Sequence, residues 1–439
     1  MTQPKLLLIA LVIFLFGGLS AQQTFTLEEA IEYAYQNNRT VRNAQVNVAD
    51  AESQILERRA SGLPQVNGSL NFNHYLKVPK QALPDAFLIG APPGTPREVS
   101  FFLQNNFTAG ASVQQMIFDG SFFVALRAAR QYRSYVQAEL LSARQEVKNQ
   151  VVAAYLGPLI LRENAGYLQK NIQNLSTLLR ETQALFEAGF VEQLDVDRLQ
   201  LSLSNLETEL ENLTRQEQIA LNFLKMSMGY PITEDLSVSD NLEELLAAAN
   251  ATELNTDIPL RSRPEYQVIV LGEQLNQSNI DNIRATYIPT AYANAGYQWQ
   301  YQGDDFETGF WAEQANIGIN VNVPIFDGFR RRSQIERAEL QGQILSNQRQ
   351  DLEQLITLEV TNARESYQNA ARRIAFQERN LELANRIYET AQIKYREGVG
   401  SSIEVQQAEQ SLYQTQQNYT QAAYDLVVAK ADLDKALGR

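Results

Sequence analysis

Residues 116–120 read Met-Ile-Phe-Asp-Gly, and residues 324–328, which lie 208 positions later, read Pro-Ile-Phe-Asp-Gly. Two further pairs of segments keep an offset of 209 residues: 186–189 with 395–398, and Gly229 with Gly438. Similarity at one nearly constant spacing indicates that a single structural unit occurs twice in the chain. The sequence therefore predicts an internally duplicated fold, with a first repeat over 22–229 and a second repeat over 261–439.

Each Phe-Asp-Gly motif is preceded by segments in which apolar and polar residues alternate. The clearest is 311–325, where Ile317, Ile319 and Val321 share one face and amides such as Asn316 share the other. Alternation with a period of two residues predicts β-strands. Four strands are expected, at about 63–76, 101–118, 287–301 and 311–325.

The polar faces of these strands carry amides and hydroxyls and almost no charge. One apolar face and one uncharged polar face suit a membrane β-barrel, with lipid outside and water inside. A half-solvated antiparallel sheet shows the same alternation, and the N-terminal segment described below favours the barrel. Five aromatic residues near the loop ends of the second strand pair are expected to form an interfacial belt: Tyr297, Trp299, Tyr301, Phe310 and Trp311.

Four strands are too few to close a barrel. An open sheet edge in lipid would leave backbone groups without hydrogen-bond partners, so the chain is expected to oligomerise. Two copies would supply eight strands and three copies would supply twelve, and the alternation alone does not decide between these numbers.

Long helical segments follow both Phe-Asp-Gly motifs. Apolar residues recur every seven positions through two of them: Val405, Leu412, Tyr419, Leu426 and Leu433 in one, and Val196, Leu203, Leu210 and Leu224 in the other. A sustained heptad pattern predicts coiled-coil packing. Two antiparallel helical hairpins are expected, over about 121–228 with its tip at 189 and over about 328–437 with its tip at 398–400. A kink or break is expected at Gly157-Pro158.

Residues 1–21 have the features of a secretory signal peptide. Lys5 precedes an unbroken apolar run over 6–16, and small residues follow before Gln22. The run is too short to span a membrane as a helix. The chain is therefore expected to be exported.

Composition argues against several functional classes. The 439 residues include no cysteine and one histidine, so we expect no thiol nucleophile, no disulfide and no lipid anchor through cysteine. A formal net charge of −14 disfavours nucleic acid as a partner. No nucleophile, base and orienting group occur in a recognisable pattern, so we expect no enzyme activity, no cofactor and no metal site.

The chain resembles the TolC-like outer-membrane efflux proteins. The opening helix over 27–38, Arg263-Pro264-Glu265, the duplicated Phe-Asp-Gly motifs and the tip segment 398–408 carry the resemblance, in this order. It implies a homotrimer whose 12-stranded β-barrel lies in outer-membrane lipid and continues into a long α-helical barrel in the periplasm. It also implies that residues 230–260 form an equatorial segment. The helical tips would dock to a periplasmic adaptor protein and an inner-membrane pump.

The same resemblance assigns roles to residues at the tips. Glu404 matches the acidic position that lines the periplasmic constriction in the family, Asp195 is its counterpart in the first repeat, and Gln407 stands where some members carry a second acid. A ring of carboxylates would favour cations. Both acids also suit the first turn of a helix, whose dipole favours negative charge. Adaptor contact is expected at the tip residues: Gly189, Gly398, Val399, Gly400 and Ser401.

The expected function is a passive exit duct of a tripartite efflux or type I export system. Small molecules or polypeptides would pass through it while a partner pump supplies the energy. Two alternatives stay open at this point. A general outer-membrane porin would be open at rest, and a coiled-coil surface protein would not conduct at all.

Overall fold

The computed structural model of the chain describes residues 23–83, 97–250, 260–305 and 307–439. The expected signal peptide, 1–21, lies outside these residues. Among them, no helix combines the length and the apolar character that crossing a membrane requires. The chain folds into two compact units. We call them the strand unit (Ala49–Ser134 and Leu271–Asn347) and the helical unit (the described parts of Met1–Val48, Tyr135–Val270 and Gln348–Arg439).

The secondary structure consists mainly of long helices. In chain order the elements are β1 (Gln23–Phe25), α1 (Leu27–Asn37), α2 (Arg39–Ala60), β2 (Gln65–His74), β3 (Gln81–Leu83), β4 (Arg97–Val99), β5 (Asn105–Phe118), α3 (Gly120–Glu187), α4 (Gln193–Met228), β6 (Leu236–Val238), α5 (Leu242–Asn250), α6 (Pro264–Ala285), β7 (Thr290–Gly303), β8 (Phe310–Asn322), α7 (Arg330–Arg396) and α8 (Ser402–Ala436).

The strand unit contains one four-stranded antiparallel sheet in the order β2-β5-β7-β8. Its central pair, β5 with β7, joins the first repeat to the second. Its edges are β2 and β8, which are the first and last strands of the sheet along the chain. Each edge strand therefore has one side that no described strand of the same chain covers.

One face of this sheet is apolar across all four strands. It is formed by Val66, Leu70 and Phe72 of β2, by Phe107, Ala109, Ala111 and Val113 of β5, by Ala291, Ala293, Ala295, Tyr297, Trp299 and Tyr301 of β7, and by Trp311, Ala315, Ile317, Ile319 and Val321 of β8. Leu70 is 79% exposed and Ile317 is 88% exposed. An exposed apolar surface of this extent marks contact with lipid or with another protein.

The opposite face carries uncharged polar groups. Asn71 of β2 lies opposite Thr108 of β5, and Gln298 of β7 donates a hydrogen bond of 2.7 Å to Gln314 of β8. One acid, Glu313, falls on the apolar face by register, where its carboxylate accepts a 2.8 Å hydrogen bond from the hydroxyl of Tyr297. This partner offsets part of the cost of placing a charge among apolar residues.

The repeated aspartates form the junctions between strands and helices. Asp119 accepts hydrogen bonds from the backbone N–H and the hydroxyl of Ser121, at 2.9 and 2.6 Å, where β5 leads into α3. Asp327 accepts from the backbone N–H of Arg331 at 3.1 Å, where β8 leads into α7. A carboxylate at a helix start satisfies N–H groups that have no partner within the helix. The Phe-Asp-Gly motif thus marks the place where the chain changes from strand to helix.

The helical unit contains two helical hairpins, α3 with α4 and α7 with α8. Residues of the predicted heptad pattern lie in two buried clusters. One includes Val196 and Leu203 of α4 with Val405 and Leu412 of α8, and the other includes Leu224 of α4 with Leu426 and Leu433 of α8. Burying each large apolar side chain contributes roughly 1.5–3 kcal/mol. The hairpins are therefore stabilised by the residues that the heptad pattern singled out.

No break occurs at Gly157-Pro158, because α3 is one continuous helix from Gly120 to Glu187. Pro158 itself is buried, and Leu156 and Leu159 beside it belong to the main apolar core. A Cβ built on Gly157 would lie 3.6 Å from the Cβ of Ala220 on α4. Close packing of α3 on α4 therefore keeps the helix intact where the local sequence favours an interruption.

Residues 230–250 pack against the N-terminal end of the described chain, within the helical unit. The strand β6 pairs in parallel with β1, and the Tyr155 hydroxyl of α3 donates a 2.8 Å hydrogen bond to the carbonyl of Phe25. Part of the expected equatorial segment, 251–259, lies outside the described residues.

Arg263 connects three parts of the helical unit. Its side chain is 2% exposed, and its guanidinium donates to the carbonyl of Ala436 at 2.8 Å and to the carboxylates of Glu359 at 2.7 Å and Glu265 at 2.5 Å. One buried cation thereby joins the start of α6, the middle of α7 and the last turn of α8.

Replacing Arg263 is expected to destabilise the helical unit strongly. Arg263→Met keeps much of the side-chain length but leaves two carboxylates and a carbonyl without their donor. We expect the free energy of unfolding to fall by about 3 kcal/mol or more, the size typical of breaking a buried ion pair. Denaturant titration in detergent measures this loss. The control Arg373→Met breaks an exposed pair with Asp425, and its expected cost is about 0–1 kcal/mol. Equal losses in the two variants would contradict the prediction.

Candidate functional site at the helical tips

The two hairpins end in similar turns. Gly189 and Gly398 adopt φ angles of 81° and 74°, and their N–H groups donate to the carbonyls of Phe186 and Tyr395. Glycine adopts this left-handed conformation without a steric penalty and commonly ends a helix. The second tip is also tight, since a Cβ on Gly400 would lie 3.0 Å from the Cβ of Lys394.

Each tip presents an apolar side chain to solvent. Phe190 of the first tip is 78% exposed, and Val399 of the second is 77% exposed. Ser401 then caps α8, with its hydroxyl accepting a 3.4 Å hydrogen bond from the backbone N–H of Glu404. The tips therefore combine fixed turns with exposed apolar residues, which is a surface suited to contact with another protein.

Asp195 has a partner on the other hairpin. Its Oδ1 accepts a 2.5 Å hydrogen bond from the hydroxyl of Ser402, which is 1% exposed at the start of α8. Arg198 lies 3.9 Å from the same oxygen. The carboxylate therefore ties the start of α4 to the start of α8, just inside the two tips.

Glu404, the counterpart of Asp195 in the second repeat, has a different environment. Its side chain is exposed, and with Gln407 it lines a groove between α7 and α8. Arg386 and Lys394 of α7 line the same groove, so the groove carries charges of both signs. The structure thus separates two acids that the repeat relates, since Asp195 bridges two hairpins and Glu404 faces an open groove.

A column of polar residues between the hairpins was not predicted from the sequence. The Ser202 hydroxyl of α4 donates a 2.8 Å hydrogen bond to Glu409 of α8, and Asn171 of α3 donates at 2.9 Å to Gln416 of α8. On α8, Ser402, Glu409 and Gln416 are spaced by seven residues. The contact could have been predicted from the sequence, because these polar residues recur at one heptad position beside the apolar column.

Glu409 is the one member of this column on α8 that ionises. It is 2% exposed, and burial raises the pKa of its carboxyl, although the hydrogen bond from Ser202 opposes the shift. Nearby on α7, burial and then the charge of Glu409 raise the pKa of Tyr388 to about 12. A buried acid with a raised pKa destabilises the folded state once it ionises.

Glu409→Gln is therefore expected to change how stability depends on pH. In the wild type, the folded state binds the proton of Glu409 more tightly than the unfolded state does. Its stabilising contribution is complete below the ordinary glutamate pKa of about 4.3 and is lost as the pH rises through the raised pKa. The glutamine variant keeps an acceptor for Ser202 and carries no charge, so we expect it to unfold at a higher temperature than the wild type at neutral pH.

Thermal unfolding in detergent between pH 4 and pH 8 tests this expectation. The difference between the variant and the wild type should grow with pH over this range. Glu404→Gln removes an exposed carboxylate from the same helix and serves as the matched control for the loss of one negative charge. A constant difference between Glu409→Gln and the wild type at all pH values would show that Glu409 is not the titrating group.

Comparison with known proteins identifies the family of this chain. The family model described as outer membrane efflux protein matches residues 30–230 and 259–439. Outer membrane efflux protein BepC of Brucella suis is 23% identical over 445 aligned residues, which cover 98% of this chain and 90% of that protein. Outer membrane protein TolC of Vibrio cholerae is 22% identical, with 95% of this chain and 92% of that protein covered.

Solved structures show the same fold. The outer membrane channel CmeC of Campylobacter jejuni matches with a TM-score of 0.72 and 18% identity, over 94% of this chain and 85% of that one. A crystal structure of CusC also gives a TM-score of 0.72, with 20% identity, over 94% of this chain and 92% of that one. The chain therefore belongs to the outer membrane efflux protein family and is an outer-membrane efflux channel protein with the TolC fold.

Proposed function

We propose that three copies of this chain form the exit duct of a tripartite efflux or type I export system. The four strands of each copy would complete a 12-stranded barrel in the outer membrane, and the helical hairpins would form a continuous helical barrel in the periplasm. The observation that carries the proposal is the sheet of the strand unit. It has one exposed apolar face, one uncharged polar face and two edges that no described strand of the same chain covers.

The unpaired edges explain why the chain needs copies of itself. In lipid, each backbone N–H or C=O group without a partner costs several kcal/mol. Pairing β8 of one copy with β2 of the next preserves the antiparallel order around the ring. Closure then places the apolar face against lipid and the amide face against water. The resemblance to TolC-like proteins supports three copies over two.

The aromatic residues of β7 and β8 support this placement. Trp299 and Tyr297 lie on the apolar face with ring centroids 5.5 Å apart, and Trp311 packs on the buried Tyr301 at 5.1 Å. Rings at the end of a barrel strand suit the boundary between lipid and water. Phe310 pairs with Gln302 and so shares the register of the polar face. Its place in the proposed belt is at the rim of the barrel.

Transport through this duct would be passive. The sequence contains no nucleotide-binding loop, so the energy is assigned to an inner-membrane pump that a periplasmic adaptor connects to the helical tips. The exposed Phe190 and Val399, presented by the turns at Gly189 and at 398–401, supply the proposed adaptor contact. An N-terminal signal peptide over 1–21 accounts for export to the outer membrane.

At the periplasmic end, we assign the two acids different tasks. Glu404 is exposed and would contribute one carboxylate per subunit to a ring, with Gln407 as a neutral neighbour. Arg386 and Lys394 weaken the field of this ring, because they line the same groove. Asp195 would instead hold the tips in their resting arrangement through its hydrogen bond with Ser402.

Single-channel recording in a planar bilayer tests these roles. Glu404→Gln is expected to lower the preference for cations, because it removes one charge per subunit from the proposed ring. Asp195→Asn is expected to raise the open probability without the same change in selectivity, because it weakens the contact between the hairpins. Glu382→Gln, which removes an exposed charge higher on α7, should alter neither property.

The outcomes also separate the alternative functions. A small or rare conductance that grows when adaptor is added supports a gated exit duct. A large and permanent conductance without adaptor would assign the chain to general porins. The absence of conductance with and without adaptor, from oligomers inserted in the bilayer, would contradict any channel function and favour a surface structural role.

A further inference from the structure

Two exposed phenylalanine rings follow the edge strand β8. Phe326 is 76% exposed and Phe329 is 64% exposed, and their rings meet edge to face with centroids 5.4 Å apart. They belong to the four-residue segment that turns the chain into α7. We call the pair the phenylalanine knob. Neither ring is covered by the strand unit of its own chain, although both are large apolar groups.

The backbone of the knob is strained in a way that the first repeat avoids. Phe329 has a φ of 67°, and it is the only non-glycine residue with positive φ in the described chain. The left-handed region is unfavourable for a bulky residue. At the equivalent place in the first repeat, Ser121 is already part of the regular helix α3. The second repeat therefore begins its helix later and projects an aromatic ring instead.

A matching apolar pocket lies below the other edge strand, β2. It has a volume of about 540 Å3 and is formed by the end of α2, the end of β5 and the start of α3. Its apolar walls include Leu56, Leu63, Ile117, Phe118, Phe122 and Phe123. Of these, Leu56, Leu63 and Phe123 are each about 60% exposed. Gly62 makes room for one wall, because a Cβ there would lie 2.7 Å from the ring of Phe122.

The strand order would bring knob and pocket to the same end of the paired edge strands of adjacent copies. If β8 of one copy pairs antiparallel with β2 of the next, the end of β8 meets the start of β2. With 13 residues, β8 is longer than β2, which has 10. Within one chain the register runs from Gln65 through Gln114 and Asn294 to Gly318, so β8 extends four residues further than β2 at this end of the sheet. In the assembled ring, the chain beyond Asn322 would then continue past Gln65 toward Leu63 and the pocket. Four residues of strand-like chain would span about 13 Å.

We propose that the phenylalanine knob of one copy inserts into the pocket under β2 of the neighbouring copy. The proposal rests on the proposed function, since it requires that copies of this chain assemble edge to edge. It names the residues that would fix the strand register between neighbouring copies, and the distance between those copies, at the end of the paired strands. It also accounts for the strained backbone at Phe329, because ring burial in the neighbouring copy offsets the conformational cost.

Disulfide trapping tests the contact directly, because the chain contains no cysteine of its own. Oxidation of the double variant Phe326→Cys with Leu63→Cys is expected to give covalent dimers and trimers on a non-reducing gel. Each single variant should stay monomeric on the gel. The matched control pairs Phe326→Cys with Phe72→Cys, near the far end of β2 and about 30 Å from Leu63 along the strand, and should give no covalent oligomer.

A second variant separates ring burial from backbone strain. Phe329→Gly relieves the left-handed strain and would stabilise an isolated chain. The proposal predicts the opposite for the assembly. Its trimers should dissociate at a temperature at least several degrees lower in detergent, as followed by electrophoresis after heating. A variant trimer that dissociates at the same temperature as the wild-type trimer, or at a higher one, would contradict the proposed insertion of the phenylalanine knob.

The outcomes distinguish this contact from the proposed function as a whole. If wild-type protein forms no trimer by mass measurement in detergent, the proposed assembly itself fails. If trimers form but the cysteines at 326 and 63 give no cross-link, the proposed assembly is upheld and the proposed insertion of the phenylalanine knob is wrong. Labelling of Phe326→Cys in vesicles by a lipid-soluble maleimide, with no cross-linking, would assign the rings to the bilayer and would equally overturn the proposal.

Discussion

Backbone hydrogen bonding at the edges of one four-stranded sheet is the constraint on which the rest of this molecule depends. The pair β5 and β7 unites the two repeats and satisfies the interior of the sheet. The edges β2 and β8 have no further strand beside them among the described residues. In water an unpaired edge is tolerated, whereas in lipid it is not. A chain that exposes Ile317 and Leu70 on the same sheet would therefore need further copies of itself to complete the proposed barrel.

The helical unit holds two long hairpins together through two kinds of contact. Apolar heptad columns supply most of the stability. The polar column of Ser402, Glu409 and Gln416 fixes the register, because each of these groups has one matching partner on the first hairpin. Pairing of buried polar groups is specific but contributes little net stability.

Much of this architecture was readable from the sequence, because its periodic patterns report burial directly. Alternation over 311–325 corresponds to β8 at Phe310–Asn322, and the heptad through Val405 and Leu412 lies in a buried cluster. Contacts that depend on three-dimensional packing were not readable. Helix α3 continues through Pro158 because α4 packs against it, and Asp195 is bound by a serine 207 residues away. The left-handed Phe329 has no local signal, since glycine is the residue that normally marks such a turn.

The absence of charge on the polar face of the strands has a consequence for the proposed duct, which this face would line. Amide groups such as Gln298 and Asn316 offer donors and acceptors alike, so they can replace water around a solute of either sign with little net change in energy. A wall of this kind would neither concentrate nor repel ions, and a solute that touches it would exchange part of its hydration shell for amide groups at little cost. Any selection of cargo would then take place before the cargo reaches the outer membrane. The barrel itself would let the cargo pass without binding or rejecting it.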